Sequence, residues 1–258
     1  QIWIMGTAGP YINSTLASCG QQRRPRFLQV VQDAFSRAVN SAAPGRKEAP
    51  LIALLSAVEV MDPEFFTEEM KLTLNQAFLQ IYGKLSKSVD FLILELLGRI
   101  DGLDAGLGIP DKDEEFLRLL DVSGPSADLT ARLSTMFLDN LKTSTPWVVK
   151  KANINFMLMS MDELTEDHCI QIATHFANLL KVSETVAVRR RAGEALVEIM
   201  DRIPYGARNE VAVELINALD LGDYQFTKYI PDYLGILLFY LKQEELDETL
   251  DEMEERML

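Results

Sequence analysis

The chain has 258 residues, with 25 lysines and arginines, 39 aspartates and glutamates, and a net charge of −14 at pH 7. Apolar residues make up 48% of it, which is typical of a folded protein and argues against intrinsic disorder. No run of about 18 apolar residues occurs, so the sequence predicts no membrane span. An acidic surface repels a phosphate backbone, which disfavours nucleic acid as a partner.

The charge is unevenly distributed along the chain. Residues 1–60 carry six basic and three acidic residues, whereas residues 61–258 carry 19 basic and 36 acidic ones. The two cysteines, Cys19 and Cys169, are far apart in sequence and cannot build a disulfide framework or a metal site by themselves. Isolated cysteines are typical of reduced thiols, so we expect a cytoplasmic protein.

Helix-forming residues dominate, and no segment alternates as a strand does, so the sequence predicts an all-α fold. We expect an irregular leader over residues 1–25. Asp62-Pro63-Glu64 is typical of a helix start, because it combines an N-cap residue, a proline in the first turn and an acid. The predicted helices cover residues 26–42, 47–61, 64–84, 89–101, 112–121, 127–142, 146–161, 166–181, 186–203, 207–220, 225–241 and 243–257.

An internal repeat organises the second half of the chain. In helix 127–142 three apolar residues lie four positions apart on one face, and adding 39 to each number gives two further copies. A constant offset across three helices indicates a repeated two-helix unit of about forty residues. The nine positions are Leu133, Phe137, Leu141, Ile172, Phe176, Leu180, Val211, Leu215 and Leu219.

The helices between these copies repeat as well. Val148, Ala152 and Phe156 correspond, at an offset of 40, to Val188, Ala192 and Leu196, and Leu234 occupies the matching place in a third copy. Small residues allow close helix approach, and large ones fill the layer between units. Pro231 lies inside the third copy and is expected to delay the start of that helix.

These repeats predict a single domain over residues 26–258. Residues 102–122 are glycine-rich and then acidic, and they interrupt the repeat spacing as an inserted segment between units. Residues 243–258 are expected to form a helix that caps the last repeat, because apolar residues recur there at helical spacing among eight acids.

The segment Cys169–Ile203 shows the repeat pattern most fully. Ile172–Leu180 matches a first helix, and Val188–Leu196 matches a second helix with a valine–arginine start and a spine of small residues. Across 126–241, and less closely across 26–101, the chain resembles the HEAT/armadillo class of helical-repeat proteins. The resemblance implies an α-α superhelix, or solenoid, of about five stacked helix pairs whose second helices line a concave surface. It indicates shape more than role.

The sequence offers no catalytic constellation. His168 and His175 are seven positions apart with no third ligand in view, so we interpret both as structural. The acidic clusters lie in polar segments, and the phosphate-binding, dinucleotide-binding and nucleophile-elbow motifs are absent from the sequence. We therefore expect no catalytic residue, no metal site and no cofactor, and a protein that is not an enzyme.

Basic residues recur at the starts of three successive second helices, in contrast to the acidic background. The resemblance implies that this series lines the concave face. The series consists of Lys150, Lys151, Arg189, Arg190, Arg191 and Lys228. The predicted binding residues are Trp147, Lys150, Lys151, Arg190, Arg191, Lys228 and Tyr229.

This pattern favours a non-catalytic interaction scaffold that binds a protein or peptide, such as an acidic or phosphorylated segment. The alternative interpretation of the basic series is pairing with carboxylates of neighbouring turns. The alternative functions are a helical accessory domain of a larger enzyme and a nucleic-acid-binding protein of the same class.

Overall fold

The computed structural model describes residues 13–19, 23–103, 106–121, 129–221 and 227–257, without the side chains of residues 221, 252 and 255–257. Helices account for its regular structure, and no β-strand occurs in these ranges, where Ala43 and Arg46 form one isolated bridge. The predicted all-α class is confirmed. The chain divides into two compact units, Gln1–Pro125 and Ser126–Leu258.

The first unit is built from pairs of neighbouring helices. α1 packs against α2 and α3, and α4 packs against α2 and α5. In its core, the rings of Phe35 and Phe78 meet edge to face with their centroids 6.3 Å apart. The helices are α1 (Arg24–Ser41), α2 (Ala49–Glu59), α3 (Glu68–Ile81), α4 (Lys87–Arg99) and α5 (Lys112–Leu119), with a 3-10 turn at Pro63–Phe65.

The predicted helix 64–84 is divided into two elements. A single 3-10 turn at Pro63–Phe65 is followed by an extended Phe66, and Thr67 then caps α3 by accepting a hydrogen bond from the amide of Met70 at 3.2 Å. Phe65 and Phe66 are both buried. Consecutive side chains on a helix point about 100° apart, so burying both rings in one core favours a break in the helix.

Residues 13–18, within the predicted irregular leader, form a helical turn. Leu16 is fully buried. The Asn13 side chain donates to the carbonyl oxygen of Val60 at 2.9 Å and accepts from the amide of Asp62 at 3.0 Å. This turn is therefore fastened to the end of the α2 segment. Residues 1–12 and 20–22 lie outside the described part.

The predicted insertion 102–122 contains α5, which packs on α4. The rings of Phe116 and Phe91 meet edge to face at 5.6 Å. Asp111 caps the helix by accepting hydrogen bonds from the amides of Asp113 and Glu114 at 2.8 and 3.1 Å. The segment thus contributes a packed helix to the first unit.

In its described ranges, 129–221 and 227–257, the second unit contains three successive pairs of helices and a final helix. Among the first helices of the pairs, α6 packs against α8, and α8 packs against α10. Among the second helices, α7 packs against α9, and α9 packs against α11. α12 packs against α10. The helices are α6 (Leu129–Leu141), α7 (Trp147–Met159), α8 (Glu166–Val182), α9 (Val186–Ile199), α10 (Tyr205–Leu221), α11 (Ile230–Leu237) and α12 (Gln243–Met257).

Most of the predicted apolar positions lie in the core of the second unit, including all three of α8 and all three of α9. α6 differs. Leu141 is 54% exposed, whereas Asn140 is 1% exposed. The stripe of α6 is rotated toward Asn140 because this side chain makes hydrogen bonds to two neighbouring helices. The prediction that Leu141 belongs to the core is wrong.

α11 begins at Ile230 with Pro231 in its first turn, which confirms the expected effect of this proline on the helix start. A 3-10 turn at Leu238–Tyr240 follows it. In the part of the chain that the structure describes, no helix is both long enough and apolar enough to cross a membrane.

Candidate functional site

The predicted binding residues come from the amino-terminal ends of three helices that pack in series. Trp147, Lys150 and Lys151 lie at the start of α7, the arginines lie early in α9, and Lys228 and Tyr229 directly precede α11. We call this set the basic-aromatic surface. It comprises Trp147, Lys150, Lys151, Arg189, Arg190, Arg191, Lys228 and Tyr229.

Tyr229 forms the centre of the tightest group on this surface. Its ring is 8% exposed, and three cations lie over it. The guanidinium carbons of Arg189 and Arg190 are 5.1 and 5.8 Å from the ring centroid, and the ammonium of Lys228 is 5.1 Å away. Cations within about 6 Å of an aromatic face are attracted by its quadrupole, so the ring gathers positive charge contributed by α9 and by the start of α11.

Arg189 is a residue that the predicted binding set omits. It is only 4% exposed, and burial lowers the pKa of its guanidinium. Arg189 is therefore the buried support of the Tyr229 group, whereas Arg190 and Lys228 face outward to a greater degree. The run of three arginines alone does not reveal which one turns inward.

A second cation–aromatic contact lies on α7. The ammonium of Lys151 is 5.8 Å from the ring centroid of Trp147. Lys150 beside it is half-buried, and burial lowers the pKa of its amine, an effect that the charge of Glu184 partly opposes. α7 and α9 therefore each present partly desolvated positive charge near their amino ends.

Arg191 is engaged within the fold. Its Nε donates to Asn155 Oδ1 of α7 at 2.7 Å, and its Nη1 donates to Glu198 at 2.8 Å and lies 3.6 Å from Glu194. These contacts neutralise its charge and join α7 to α9. The carboxylates that pair with Arg191 belong to its own helix α9 and not to a neighbouring turn.

Tyr233 of α11 fixes the position of Arg190. Its hydroxyl donates to the carbonyl oxygen of Arg190 at 3.1 Å, and its ring packs against Gly193 one turn along α9. Burial raises the pKa of Tyr233 to about 12, with Glu194 contributing in the same direction. Its hydroxyl therefore stays a donor at neutral pH.

The starts of α7 and α9 also lack the usual compensation for a helix amino terminus. Neither has an acid in its first turn, and neither has a side-chain cap. The helix dipole places partial positive charge there, and the lysines and arginines add to it, while Glu184 offsets part of this charge at Lys150. The arrangement favours a negatively charged ligand.

His175 lies in a buried polar network between three helices. Asn140 of α6 donates to His175 Nε2 at 3.1 Å and accepts from Asn153 of α7 at 3.0 Å. Burial lowers the pKa of His175 to about 4, so the imidazole is neutral and its Nε2 accepts. His168 contacts Thr165 at 2.9 Å and Thr130 at 3.4 Å. Within the described ranges, no group of three or more His, Cys, Asp or Glu residues could hold a metal ion.

The first unit has a separate cleft of about 640 Å³ near α5. The hydroxyl of Tyr82 donates to Glu115, which accepts two hydrogen bonds from Arg118 at 2.6 and 2.7 Å. The hydrogen bonds from Arg118 hold the pKa of Glu115 below its ordinary value. Arg118 and Glu115 therefore neutralise each other at this cleft. Its lining residues are Tyr82, Leu107, Gly108, Ile109, Pro110, Asp111, Glu114, Glu115, Leu117 and Arg118.

Comparisons with protein-family models, with curated proteins and with solved structures gave no match to the chain. Function is therefore inferred from the chemistry of the basic-aromatic surface.

Proposed function

We propose that the protein is a non-catalytic interaction scaffold that binds an acidic protein or peptide segment on the basic-aromatic surface. The observation that carries this proposal is the series of cation–aromatic contacts at Trp147, which starts α7, and at Tyr229, which precedes α11; both helices flank α9. The half-buried Trp147 supplies contact area, and the buried Tyr229 gathers cations that supply charge complementarity to an acidic partner.

The charge balance of the second unit supports an acidic ligand. Residues 126–258 carry 13 basic and 23 acidic residues, and six of the 13 basic residues belong to the basic-aromatic surface. A positive patch attracts acidic segments, whereas the acidic remainder of the unit repels them. The same overall acidity opposes binding of a long nucleic acid.

The helix contacts support a HEAT-like solenoid as the architecture of this scaffold. First helices pack on first helices and second helices on second helices through α6–α11, as expected for stacked pairs. In such a stack the second helices α7, α9 and α11 form a continuous concave face, and α12 covers the last pair. The proposal also places the protein in the cytoplasm.

A displayed library of random peptides tests the proposed function. We expect the wild-type protein to enrich acidic peptides, and a Lys150→Glu, Arg190→Glu, Lys228→Glu variant to lose them. The matched control is Lys142→Glu, Arg202→Glu, Lys242→Glu, which changes the net charge equally at positions near the carboxy-terminal ends of α6, α9 and α11.

Equal enrichment by the two charge-reversed proteins would overturn the proposed site, provided that circular dichroism shows both to be as helical as wild type. A gel-shift experiment with duplex DNA at low salt addresses the nucleic-acid alternative, and retention there would favour it.

A further inference from the structure

The cations around Tyr229 converge on one place. Arg189, Arg190 and Lys228 all lie within 5.8 Å of the same ring centroid. The distance between any two of these charges is therefore below the sum of their distances to the ring, about 11 Å at most. Like charges at this separation repel one another, and an anion bound beside Arg190 and Lys228 relieves the repulsion between these two.

The surrounding carboxylates of the described residues do not pair with Arg190 or Lys228. In the ranges that the structure describes, no carboxylate lies within salt-bridge distance of Arg190 or Lys228. Glu194 lies near Tyr233 but belongs to the Arg191 ion pair, and Asp232 is exposed at the start of α11. This distinguishes Arg190 from its neighbour Arg191, which is neutralised by Glu198.

The site is also held in place before any ligand arrives. Tyr233 holds the backbone of Arg190 through a 3.1 Å hydrogen bond, and the buried Tyr229 lies directly beside Lys228 in sequence. A preformed cluster loses less conformational entropy on binding than two free surface chains would. Binding therefore loses less side-chain entropy at Arg190 and Lys228, because the fold already restricts their positions.

We propose that Arg190 and Lys228, beside Tyr229, bind a phosphorylated side chain of the peptide ligand. This inference rests on the proposed function and names the chemistry of its ligand. A phosphoryl group carries a charge of about −1.5 to −2 and three strong acceptor oxygens, whereas a carboxylate carries −1. The phosphoryl group can accept hydrogen bonds from the planar guanidinium of Arg190 and from the ammonium of Lys228 at the same time.

The Trp147–Lys151 pair supplies a second contact for the same ligand. α7 and α11 both flank α9, and packed helices are about 8–10 Å apart, so the two aromatic groups are separated by roughly 16–20 Å. An extended peptide covers this distance in about five or six residues. We therefore expect an apolar or acidic residue about that far from the phosphorylated one.

Three synthetic peptide libraries with identical degenerate flanks test the inference. Their central residue is fixed as phosphoserine, glutamate or serine, and fluorescence polarisation measures binding to the full chain. We expect the phosphoserine library to bind at least tenfold more tightly than the serine library, with the glutamate library between them. Lys228→Gln and Arg190→Gln should each reduce the phosphoserine advantage to less than threefold, and Lys242→Gln should preserve it.

The outcomes separate this inference from the proposed function. If glutamate binds as tightly as phosphoserine, and the acidic libraries still bind the wild-type surface, the phosphoryl site is refuted and the acidic-peptide scaffold stands. If none of the three libraries binds, both proposals fail. Retention by vesicles containing phosphatidylserine, with no phosphopeptide preference, would show that the cluster recognises a membrane surface instead.

Discussion

The ring of Tyr233 lies so close to Gly193 that no larger residue fits between α11 and α9. A β-carbon at position 193 would come within 2.5 Å of Cδ2 and 2.6 Å of Cζ of the tyrosine ring, and nearer still to Cε2. The same ring carries the hydroxyl that holds the Arg190 carbonyl. Gly193 thus sets both the spacing of the two helices and the place of the basic-aromatic surface.

Gly193→Ala is expected to destabilise the protein by about 1–3 kcal/mol, because the added methyl group forces the Tyr233 ring or α11 to move. Urea denaturation followed by circular dichroism measures the change. Gly235→Ala is the matched control, since Gly235 is also helical and nothing lies within 4 Å of a β-carbon there.

Alanine has the higher helix propensity, so Gly235→Ala should be neutral or stabilise the protein by up to about 1 kcal/mol. Opposite signs for the two substitutions would support the close approach of Tyr233 to Gly193. Equal effects would show that α9 and α11 are farther apart than described.

His175 should make the stability of the protein depend on pH in the acidic range. Its pKa falls from 6.5 to about 4 on burial. Between these values the unfolded state binds a proton that the folded state does not, so stability falls as the pH drops from 6.5 toward 4, by about 3 kcal/mol in total. Thermal or urea unfolding at several pH values measures this slope.

Carboxylates also titrate in this range, so the contribution of His175 is the difference between wild type and a variant. His175→Gln should flatten the slope between pH 6.5 and 4, although its stability at pH 7 also changes. A wild-type slope in His175→Gln would contradict the buried neutral imidazole.

Asn140→Leu is expected to cost about 2–4 kcal/mol, even though leucine is apolar and similar in size. The substitution leaves Nε2 of His175 and the amide of Asn153 buried without their partner, and each such loss costs about 1–3 kcal/mol. Denaturant midpoints measure the effect. Asn178→Leu, at a half-buried position of α8, should stay within about 0.5 kcal/mol of wild type.

Arg191→Met should lower stability by about 1 kcal/mol, because it removes the hydrogen bond to Asn155 that joins α7 to α9. Methionine retains much of the apolar stem, so the packing loss is small. Adding 1 M salt should narrow the difference only in part, since salt screens the ion pairs of Arg191 with Glu198 and Glu194 but hardly affects its hydrogen bond to the neutral amide of Asn155. A variant as stable as wild type would show that this contact is dispensable.

The positions of the helices were predictable because burial imposes a 3.6-residue period on the sequence. Ile172, Phe176 and Leu180 lie in the core as the repeat offset predicts. The failure at Leu141 has a specific cause. A prediction from the spacing of apolar residues ignores hydrogen bonds between helices. Such bonds bury Asn140, and Leu141 is exposed instead.

The basic-aromatic surface was predictable in composition but not in detail. Offsets between repeats place Lys150, Arg190 and Lys228 at equivalent helix starts. Which arginine of the run turns inward depends on side-chain partners from other helices. Arg189 is buried over Tyr229, which precedes α11, and Arg191 donates to Asn155 of α7, so neither contact is encoded in the local sequence.

The Asn140–His175–Asn153 network also distinguishes between neighbouring repeats. Successive repeats share their apolar spacing, so a chain of this kind can pair a helix with the wrong copy during folding. One repeat later, the residues at the network positions cannot rebuild it: they are Leu179, Gly193 and Glu214. A mispaired arrangement would therefore leave buried polar groups without hydrogen-bond partners. The pairing of α6 with α7 and α8 is thus favoured over pairing with the equivalent helices of the next repeat.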